Sequence, residues 1–250
     1  MVKAIMNGCN GAMGRVITDI IAADEAIEIV AGVDMNTESK AEYPVYKTLE
    51  ECPAADVIID FSVAKATDGV LAFCEATNTP LVLCTTGLSE EQLANVKKLS
   101  ESSAVLRSAN MSVGINLLLK VLKEISPILA DAGFDIEIVE KHHNRKLDAP
   151  SGTAIALADS INESLDNAYH YKYDRSSERV KRDKKEIGIQ AVRGGTIVGE
   201  HDIIFAGQDE VITLNHTAYS RAIFGKGAVQ AAKFLAGKGA GLYDMSDVIG

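Results

Sequence analysis

The sequence lacks several features that mark common classes of protein. None of its apolar runs approaches the roughly 20 residues that a membrane-spanning helix requires. Its first residues contain no basic region, apolar region and cleavage site in succession. Its four cysteines form no CxxC pair, which favours buried, reduced thiols over disulfides. We therefore expect a cytoplasmic protein without a membrane partner.

Positive charge is also scarce, because the formal net charge is −10. Nonspecific binding to nucleic acids needs a positive field, so we expect no nucleic-acid partner. One basic segment, 170–186, holds seven Lys and Arg residues, but they are not interleaved with aromatics in a pattern suited to base stacking. We interpret it as a solvated loop that is able to move over a site. An anionic substrate would need a local positive pocket.

Three catalytic motifs are absent as well. The chain has no GxSxG nucleophile elbow, no GxxxxGKS/T phosphate loop and no HExxH zinc motif. No Asp, Glu or Cys joins its histidines at ligand spacing, so we expect no metal ion. His201 and His216 lie inside strand-like runs and are interpreted as structural.

The patterns that are present predict an α/β protein of two domains. In the first half, short β-rich apolar runs alternate with helical patterns, which is typical of a Rossmann-like parallel sheet. The predicted strands are 2–7, 27–33, 56–61, 80–85 and 104–107. The predicted helices are 11–23, 64–77 and 89–101.

After residue 111 the pattern changes to that of an α+β domain. The predicted elements are a helix at 112–131, a strand at 135–142, a helix from 152, strands at 187–193, 197–206 and 209–218, and a helix at 222–237. We place the last helix on the first domain. The pattern therefore predicts one domain at 1–111 and 222–250, and a second domain at 112–221.

A glycine-rich loop follows the first predicted strand. Gly8, Gly11 and Gly14 form a GxxGxxG pattern, which lets the backbone approach a pyrophosphate at a helix start. The alternative is a merely tight strand-to-helix turn. Asp34 ends the second strand, where a carboxylate can accept the hydroxyls of a ribose. Together they predict a bound dinucleotide.

The identity of that dinucleotide depends on the surroundings of Asp34. Its charge opposes a 2′-phosphate, and the next residue is Met35 rather than arginine. Arg15 and Lys40 are possible substitutes for that arginine. The expected cofactors are therefore NADH and/or NADPH, with NADH at least as good as NADPH.

Two further segments follow the fourth and fifth predicted strands. Cys84-Thr85-Thr86-Gly87 follows one strand, and Ser108-Ala109-Asn110-Met111 follows the other. In an open α/β sheet, ligands collect at the carboxyl ends of the strands. Taken singly, each segment is equally compatible with an ordinary turn and helix cap.

The densest group of chemically active side chains lies at 140–154. His142 and His143 end a predicted strand, where neighbouring side chains point to opposite faces, so they should do different jobs. One imidazole can exchange a proton and the other can bind an anion. The alternative is a pair of surface histidines. Lys146 favours the functional interpretation, because its ammonium group can protonate a nitrogen or bind a carboxylate.

A helix start completes this group. Ser151 is a suitable N-cap, and the N–H groups after it, at Gly152 and Thr153, can receive a carboxylate. A purely structural cap is the alternative. Asp148 is expected to orient the turn.

The whole chain resembles the dihydrodipicolinate reductase family. The resemblance rests on segments that agree with the family in order and spacing: Gly8 to Arg15, Thr85-Thr86-Gly87, Asn110-Met111-Ser112-Val113-Gly114, 140–154 and Val198-Gly199-Glu200-His201. It implies reduction of a small dicarboxylic cyclic imine by NAD(P)H, on the route to diaminopimelate and lysine. It also implies a homotetramer and domain closure on ligand.

The resemblance further implies roles for individual residues. It makes His142 the proton donor or acceptor and Lys146 a proton donor. The implied ligands of the substrate carboxylates are His143, Gly152 and Thr153. The implied dinucleotide contacts are Gly8, Cys9, Asn10, Gly11, Ala12, Met13 and Asp34. The implied nicotinamide contacts are Cys84, Thr85, Thr86, Ser108, Ala109, Asn110 and Met111. Cys84 departs from the glycine that the family often has there.

Two other functions fit parts of the sequence. An amino-acid dehydrogenase, for example one acting on aspartate, would share the nucleotide loop but would not need the 140–154 group. A regulator that senses NADH without consuming it would share the fold, but it would not need His142, His143 and Lys146 together.

Overall fold

The structure is a computed structural model of the chain, and it describes residues 1–38, 41–108 and 110–250. The chain divides into two compact units. One comprises Met1–Val113 and Ala222–Gly250, and the other comprises Gly114–Arg221. The first unit thus uses two separate stretches of sequence. Among the described residues, none of the helices has the length and apolar character needed to cross a bilayer.

A parallel sheet of seven strands forms the centre of the first unit. Its strands are β1 (Val2–Asn7), β2 (Ile27–Val33), β3 (Val45–Tyr46), β4 (Val57–Asp60), β5 (Leu81–Leu83), β6 (Ala104–Arg107) and β12 (Gly241–Tyr243). They lie in the order β12-β6-β5-β4-β1-β2-β3. The strand order reverses between β1 and β4, and ligands bind at such a reversal in open α/β sheets.

Helices cover both faces of this sheet. They are α1 (Ala12–Ala22), α2 (Thr67–Thr77), α3 (Glu90–Leu99), α6 (Ala222–Leu235) and α7 (Met245–Ile249). Ile17 of α1 and Ala228 of α6 belong to the core on one face, and Val70 of α2 and Val96 of α3 belong to the core on the other. Because both faces are covered, every residue of β4 and β5 is buried. The predicted Rossmann-like sheet is confirmed.

The second unit contains a mixed sheet of five strands. They are β7 (Asp135–His142), β8 (His170–Lys172), β9 (Glu186–Arg193), β10 (Gly199–Ala206) and β11 (Val211–Ala218), in the order β11-β10-β7-β9-β8. Strand β10 is antiparallel to β7 and β11, whereas β9 is parallel to β7 and β8. Two helices, α4 (Val113–Asp131) and α5 (Gly152–Ser164), contribute to the core over one face.

Strand β7 shows why the sequence directs its functional residues to a particular face. Ile136, Ile138 and Glu140 are fully buried, and the residues between them are half-buried. This alternation is that of a strand with one face on a core. Glu140 therefore continues an apolar stripe, and it needs hydrogen-bond partners inside the protein.

The structure confirms the predicted major helices and strands, with end shifts of a few residues. The sequence analysis missed β3, β8, β12 and α7, which have two to five residues each. Such short segments contain too few residues to show a strand or helix period.

The interpretation of 170–186 as a solvated loop was wrong in part. Its first residues form β8, and two of its arginines bind carboxylates of the sheet. Arg175 pairs with Glu137 and with Glu186, and Arg182 pairs with Asp135 and Glu137. Basic side chains in this segment therefore anchor it to β7 and β9.

The four cysteines are free thiols, as expected. Cys9 and Cys74 are buried, whereas Cys52 and Cys84 are half-buried. Burial, and then the charge of Asp34, raises the pKa of Cys9 to about 11. In the part of the chain that the structure describes, no group of three or more His, Cys, Asp or Glu side chains is arranged to hold a metal ion.

Candidate active site

The loop between β1 and α1 is packed so closely that two of its glycines cannot be replaced without a shift. Gly8 has a φ of +80°, and a Cβ there would lie 2.5 Å from the carbonyl oxygen of Phe61, just after β4. A Cβ on Gly14 would lie 2.6 Å from the carbonyl oxygen of Cys9 and still closer to that of Gly8. The loop thus lies against the end of β4 at the strand reversal, and Gly14 lets α1 begin directly beside it.

The carboxylate of Asp34 lies beside this loop. One of its oxygens accepts a hydrogen bond from the backbone N–H of Asn10 at 3.0 Å, and the other accepts one from that of Asn36 at 3.2 Å. The Asn10 side chain donates to the carbonyl of Asn36 at 2.6 Å. Asp34 and the glycine loop are therefore brought together, as the sequence predicted for a ribose and pyrophosphate site.

A pocket of about 600 Å³ opens at the same place. Its described lining residues are Cys9, Asn10, Arg15, Thr18, Asp19, Asn36, Glu38, Ala41 and Tyr43. Its wall is shaped by Gly32, where a Cβ would lie 2.7 Å from both the Cys9 sulfur and the Tyr43 ring. Arg15, one of the two possible 2′-phosphate ligands, lines this pocket, and Lys40, the other, lies outside the described residues.

A buried carboxylate that the sequence analysis missed lies at the strand reversal. Asp60, the last residue of β4, is 0% exposed. One of its oxygens accepts from the Asn7 amide at 2.7 Å, and the other accepts from the Thr85 hydroxyl at 2.6 Å. Thr85 in turn accepts from the backbone N–H of Ser62 at 3.1 Å. The predicted residue Thr85 is therefore fixed by Asp60, whereas Thr86 is exposed.

The other predicted nicotinamide contacts lie after β5 and β6. Burial, and then the charge of Asp60, raises the pKa of Cys84 well above its ordinary value. After β6, the Ser108 hydroxyl donates to the Asn110 carbonyl at 3.0 Å, and the Asn110 side chain accepts from the Ser112 N–H at 2.8 Å. Met111 is buried. Ala109, also predicted as a contact, lies outside the described residues.

These residues fit a dinucleotide. The tight glycines leave a helix start open to a pyrophosphate, whose charge the N-terminal end of a helix stabilises. The carboxylate of Asp34 lies where it can accept hydrogen bonds from the hydroxyls of a ribose, and a pocket adjoins it. The residues after β4, β5 and β6 follow at the same edge of the parallel sheet.

In the second unit, His142 is held by the buried carboxylate of Glu140. Its Nδ1 lies 2.6 Å from Glu140 Oε2, which also accepts from Arg193 Nη1 at 2.7 Å. The other oxygen of Glu140 accepts from Arg193 Nη2 at 2.6 Å and from the Ser151 N–H at 2.9 Å. Burial opposes ionisation of Glu140, but its hydrogen bonds from Arg193, His142 and Ser151 lower its pKa below the usual value.

Lys146 is fastened to the same loop. Its ammonium group lies 2.8 Å from the carboxylate of Asp148, whose pKa this hydrogen bond lowers. The Asp148 carbonyl accepts from Arg193 Nη2 at 2.6 Å. Asp148 therefore ties the Lys146 loop to the pair formed by Arg193 and Glu140.

Helix α5 begins where the sequence predicted. The Ser151 hydroxyl accepts from the N–H of Ala154 at 3.1 Å, which confirms it as the N-cap. Gly152 is the first residue of the helix and is exposed, and Thr153 is half-buried. The N–H of Ser151 binds Glu140, so this helix start is joined to the partner of His142.

Three other histidines surround this cluster. The pKa of His143 is lowered, first by burial and then by the charges of Arg145 and Arg221. The His201 ring meets that of His142 edge to face, with centroids 5.2 Å apart, and its Nε2 lies 3.1 Å from the Ser151 hydroxyl. Burial, then the charge of His142, lowers the pKa of His201 to about 4. His216 is paired with His201 across β10 and β11.

The structure therefore brings His142, Lys146 and the α5 helix start together in the second unit. The sequence analysis missed the connecting residues Glu140 and Arg193. A signal for Glu140 was present, since it lies two residues before His142 on the apolar face of a strand. Arg193 had none, because its contact depends on the pairing of β9 with β7.

The fold and these two groups of residues define an oxidoreductase that combines a Rossmann-like dinucleotide unit with a second, mixed-sheet unit. Two family models cover the chain: "Dihydrodipicolinate reductase, N-terminus" matches residues 2–111, and "Dihydrodipicolinate reductase, C-terminus" matches residues 114–249. The chain belongs to the dihydrodipicolinate reductase family. Its membership favours the reductase over an aspartate dehydrogenase or a sensor.

Individual relatives agree with this assignment. The chain is 51% identical to the 4-hydroxy-tetrahydrodipicolinate reductase of Caldanaerobacter subterraneus, over 100% of this chain and 98% of the relative. It is 48% identical to that of Clostridium novyi, with the same shares covered. A solved structure of dipicolinate-bound dihydrodipicolinate reductase from a Paenisporosarcina species matches with a TM-score of 0.80 at 26% identity, over 98% of this chain and 97% of that chain.

Proposed function

We propose that this protein reduces 4-hydroxy-tetrahydrodipicolinate to tetrahydrodipicolinate with NAD(P)H, in the biosynthesis of diaminopimelate and lysine. The observation that carries the proposal is the cluster of His142, Lys146 and the α5 helix start around the buried Glu140. It supplies proton donors and an anion site in one place, in a chain whose relatives bear the name of this reductase.

The two units divide the work in this proposal. Residues 1–111 and 222–250 bind the dinucleotide, and residues 112–221 bind the substrate. Gly8 to Met13 and Asp34 hold the pyrophosphate and ribose, while Cys84 to Thr86 and Ser108 to Met111 lie beside the nicotinamide. A bound reduced dinucleotide supplies the hydride.

The substrate is a dianion, and the second unit offers it complementary groups. The N–H groups at Gly152 and Thr153 bind one carboxylate with the help of the partial positive charge at the start of a helix. His143 lies near the positive charges of Arg145 and Arg221, and this region binds the other carboxylate of the substrate. Binding both carboxylates fixes the orientation of the substrate ring. Hydride transfer then takes place between two bound and oriented reactants rather than through a random encounter.

Proton transfer completes the reaction. Loss of the 4-hydroxyl group as water leaves a ring in which a carbon–carbon double bond is conjugated to the imine. Two electrons enter as hydride, and the resulting aza-enolate anion takes one proton on carbon, which restores the imine. His142 Nε2 or Lys146 Nζ donates that proton, since both are held at the same loop and neither is fully buried.

The decisive assay couples this protein to the synthase that forms the unstable substrate from pyruvate and aspartate semialdehyde. We expect absorbance of the reduced dinucleotide to fall only when synthase, both precursors and this protein are present. Binding of NADH, seen by fluorescence, without its consumption would contradict the proposal and support a sensor.

The same assay tests the choice of cofactor. Asp34 beside the glycine loop, followed by Met35, supports NADH being used at least as well as NADPH. Arg15 in the adjoining pocket keeps NADPH usable. A hundredfold advantage of NADPH in kcat/KM would contradict this part of the proposal.

We further propose a cytoplasmic homotetramer, assembled through the sheet of the second unit and without nucleic-acid or membrane partners. Strand β11 lies at one edge of that sheet, and its Val211 is 62% exposed. Val192 of β9 is 44% exposed. Four unpaired thiols support a reducing compartment. Light scattering that shows a monomer at assay concentration would contradict the tetramer.

A further inference from the structure

We infer that Glu140 is a positioning residue for the reaction, and that Arg193 works through it. In this inference, which rests on the proposed function, Glu140 sets the tautomer of His142 and fixes His142 relative to the anion site at the start of α5. Glu140 is 0% exposed, and each of its oxygens has two hydrogen-bond partners.

The hydrogen-bond pattern determines the tautomer. An ionised carboxylate accepts hydrogen bonds and cannot donate them. Glu140 is held ionised by a two-pronged hydrogen bond from Arg193, a geometry that suits guanidinium and carboxylate. At 2.6 Å from Glu140, the hydrogen must therefore lie on His142 Nδ1.

The opposite ring nitrogen is then available for chemistry. A neutral imidazole carries a single N–H, so neutral His142 has a lone pair at Nε2, and protonated His142 has a donor there. Gly199 borders this nitrogen, since a Cβ at that position would lie 3.2 Å from Nε2. The His201 ring packs against His142 edge to face, which limits its rotation.

The same carboxylate connects the groups that must act together. Its Oε1 accepts from the N–H of Ser151, the N-cap of α5. Arg193 binds Glu140 and also the Asp148 carbonyl, and Asp148 pairs with Lys146. The ion pair between Arg193 and Glu140 is therefore joined to His142, Lys146 and the helix start at once.

A purely stabilising role explains this arrangement poorly. Desolvation of the buried Glu140 carboxylate and of the partly buried Arg193 guanidinium offsets much of their attraction, and apolar residues of similar size often stabilise a core as well or better. A buried carboxylate that makes hydrogen bonds through both oxygens fixes the orientation of its partners. Ile136 and Ile138, on the same face of β7, are equally buried. An apolar side chain in place of Glu140 would therefore continue the core without the cost of burying a charge.

The first test measures the tautomer in the unaltered protein. Ring nitrogen resonances of ¹⁵N-labelled histidines are recorded as a function of pH, and His142→Gln identifies the signal of His142. We expect the neutral form of His142 to carry its proton on Nδ1. A neutral form protonated on Nε2 would overturn the inference, whether or not any variant folds.

The second test compares two substitutions of glutamate by glutamine on the same strand. Glu140→Gln removes the charge that faces His142, whereas Glu137→Gln removes a carboxylate that binds Arg175 and Arg182. We expect Glu140→Gln to lower kcat by about 10- to 100-fold, as losses of orienting partners do elsewhere. KM should change less than kcat, and Glu137→Gln should leave both within about twofold of the unaltered protein.

The pH profile separates positioning from a loss of structure. Glu140→Gln replaces the carboxylate that lies 2.6 Å from His142 Nδ1 with a neutral amide, so the pH profile of kcat should move in this variant. It should not move in Glu137→Gln. An unchanged kcat and pH profile in folded Glu140→Gln would overturn the inference.

Failure of the proposed function would look different. If the unaltered protein consumed no dinucleotide with the substrate, the reaction assignment would fall, but the tautomer measurement would still test the role of Glu140. If the unaltered protein were active and His142 carried its proton on Nε2, the reaction would stand and the positioning role would fall.

Discussion

In the first unit, the candidate site is built around a close-packed backbone loop with the Asp34 carboxylate beside it, whereas in the second unit a network of charged side chains holds the candidate site together. Gly8 and Gly14 let the chain pass within van der Waals distance of itself at the strand reversal. In the second unit, Arg193, Glu140 and His142 form a connected chain of charge-assisted hydrogen bonds. The buried carboxylate of Asp60 in the first unit accepts its hydrogen bonds, among the residues that the structure describes, from neutral groups of Asn7 and Thr85.

This difference indicates how each site should respond to change. A site built from close-packed backbone is sensitive to a single added methyl group and insensitive to pH. A site built from charged side chains tolerates changes of volume better, but it depends on which groups carry protons. Substitutions chosen for one kind of site should therefore have little effect on the other.

The largest expected effect is on chemistry in the second unit. His142→Ala and Lys146→Ala should each lower kcat by at least about a hundredfold, the usual range for loss of a general acid. The coupled assay measures this, with Lys123→Ala as control because Lys123 forms an exposed pair with Glu163. Near-normal turnover in both variants would refute the proton-donor roles.

Next in size is a dependence of stability on pH that originates at His201. Its pKa is 6.5 when unfolded and about 4 when folded, because burial disfavours the charged ring. Its contribution is complete above pH 6.5 and is lost as the pH falls toward 4, at up to about 1.4 kcal/mol per pH unit. Urea unfolding at several pH values should show a smaller loss in His201→Asn than in the exposed control His170→Asn. Equal pH dependence in the two variants would contradict the assignment.

A steric change tests the first unit. Gly14→Ala places a Cβ against two backbone carbonyl oxygens and should destabilise the protein by about 1–3 kcal/mol. It should also weaken NADH binding, measured by fluorescence titration, by about tenfold or more, equivalent to about 1.4 kcal/mol. Gly69→Ala is the matched control, since its Cβ meets no atom within 4 Å and should stabilise α2 by up to about 1 kcal/mol. Equal binding by both variants would argue against the close-packed loop as the dinucleotide site.

The smallest expected effect concerns the anion site. The proposed carboxylate site includes the Thr153 hydroxyl beside the backbone N–H groups. Thr153→Val keeps the N–H but removes this hydroxyl, and it should raise KM for the substrate by about tenfold, the value of one hydrogen bond to a charged group. Because that contact is made equally in the bound substrate and the transition state, kcat should hardly change. Thr77→Val, at the exposed end of α2 in the first unit, serves as control. A fall in kcat with constant KM would instead indicate a contact that forms only in the transition state.

Local patterns were sufficient for the parts of these sites that depend on neighbours in sequence. The glycine spacing at 8–14 and the cap at Ser151 were visible, because turns and helix starts are determined by a few consecutive residues. Strand and helix periods likewise predicted the parallel sheet. The family resemblance, rather than any period, supplied the roles of the individual residues.

The missing parts depend on strand pairing. Asp60 is the partner of Asn7 across β1 and β4, and Arg193 is the partner of His142 across β7 and β9. Each pair is separated by more than 50 residues, so no local pattern brings its members together. A sequence predicts such neighbours only after the order and register of the strands are known.

The discontinuity of the first unit has a consequence for its synthesis. The ribosome has made all seven elements of the stretch Gly114–Arg221, apart from the first residue of α4, before it begins α6. The apolar surface that α6 covers, including Ile17 and Ile20, therefore stays uncovered until residues 222–235 are made. During translation, this exposed apolar face makes the nascent first unit prone to aggregation.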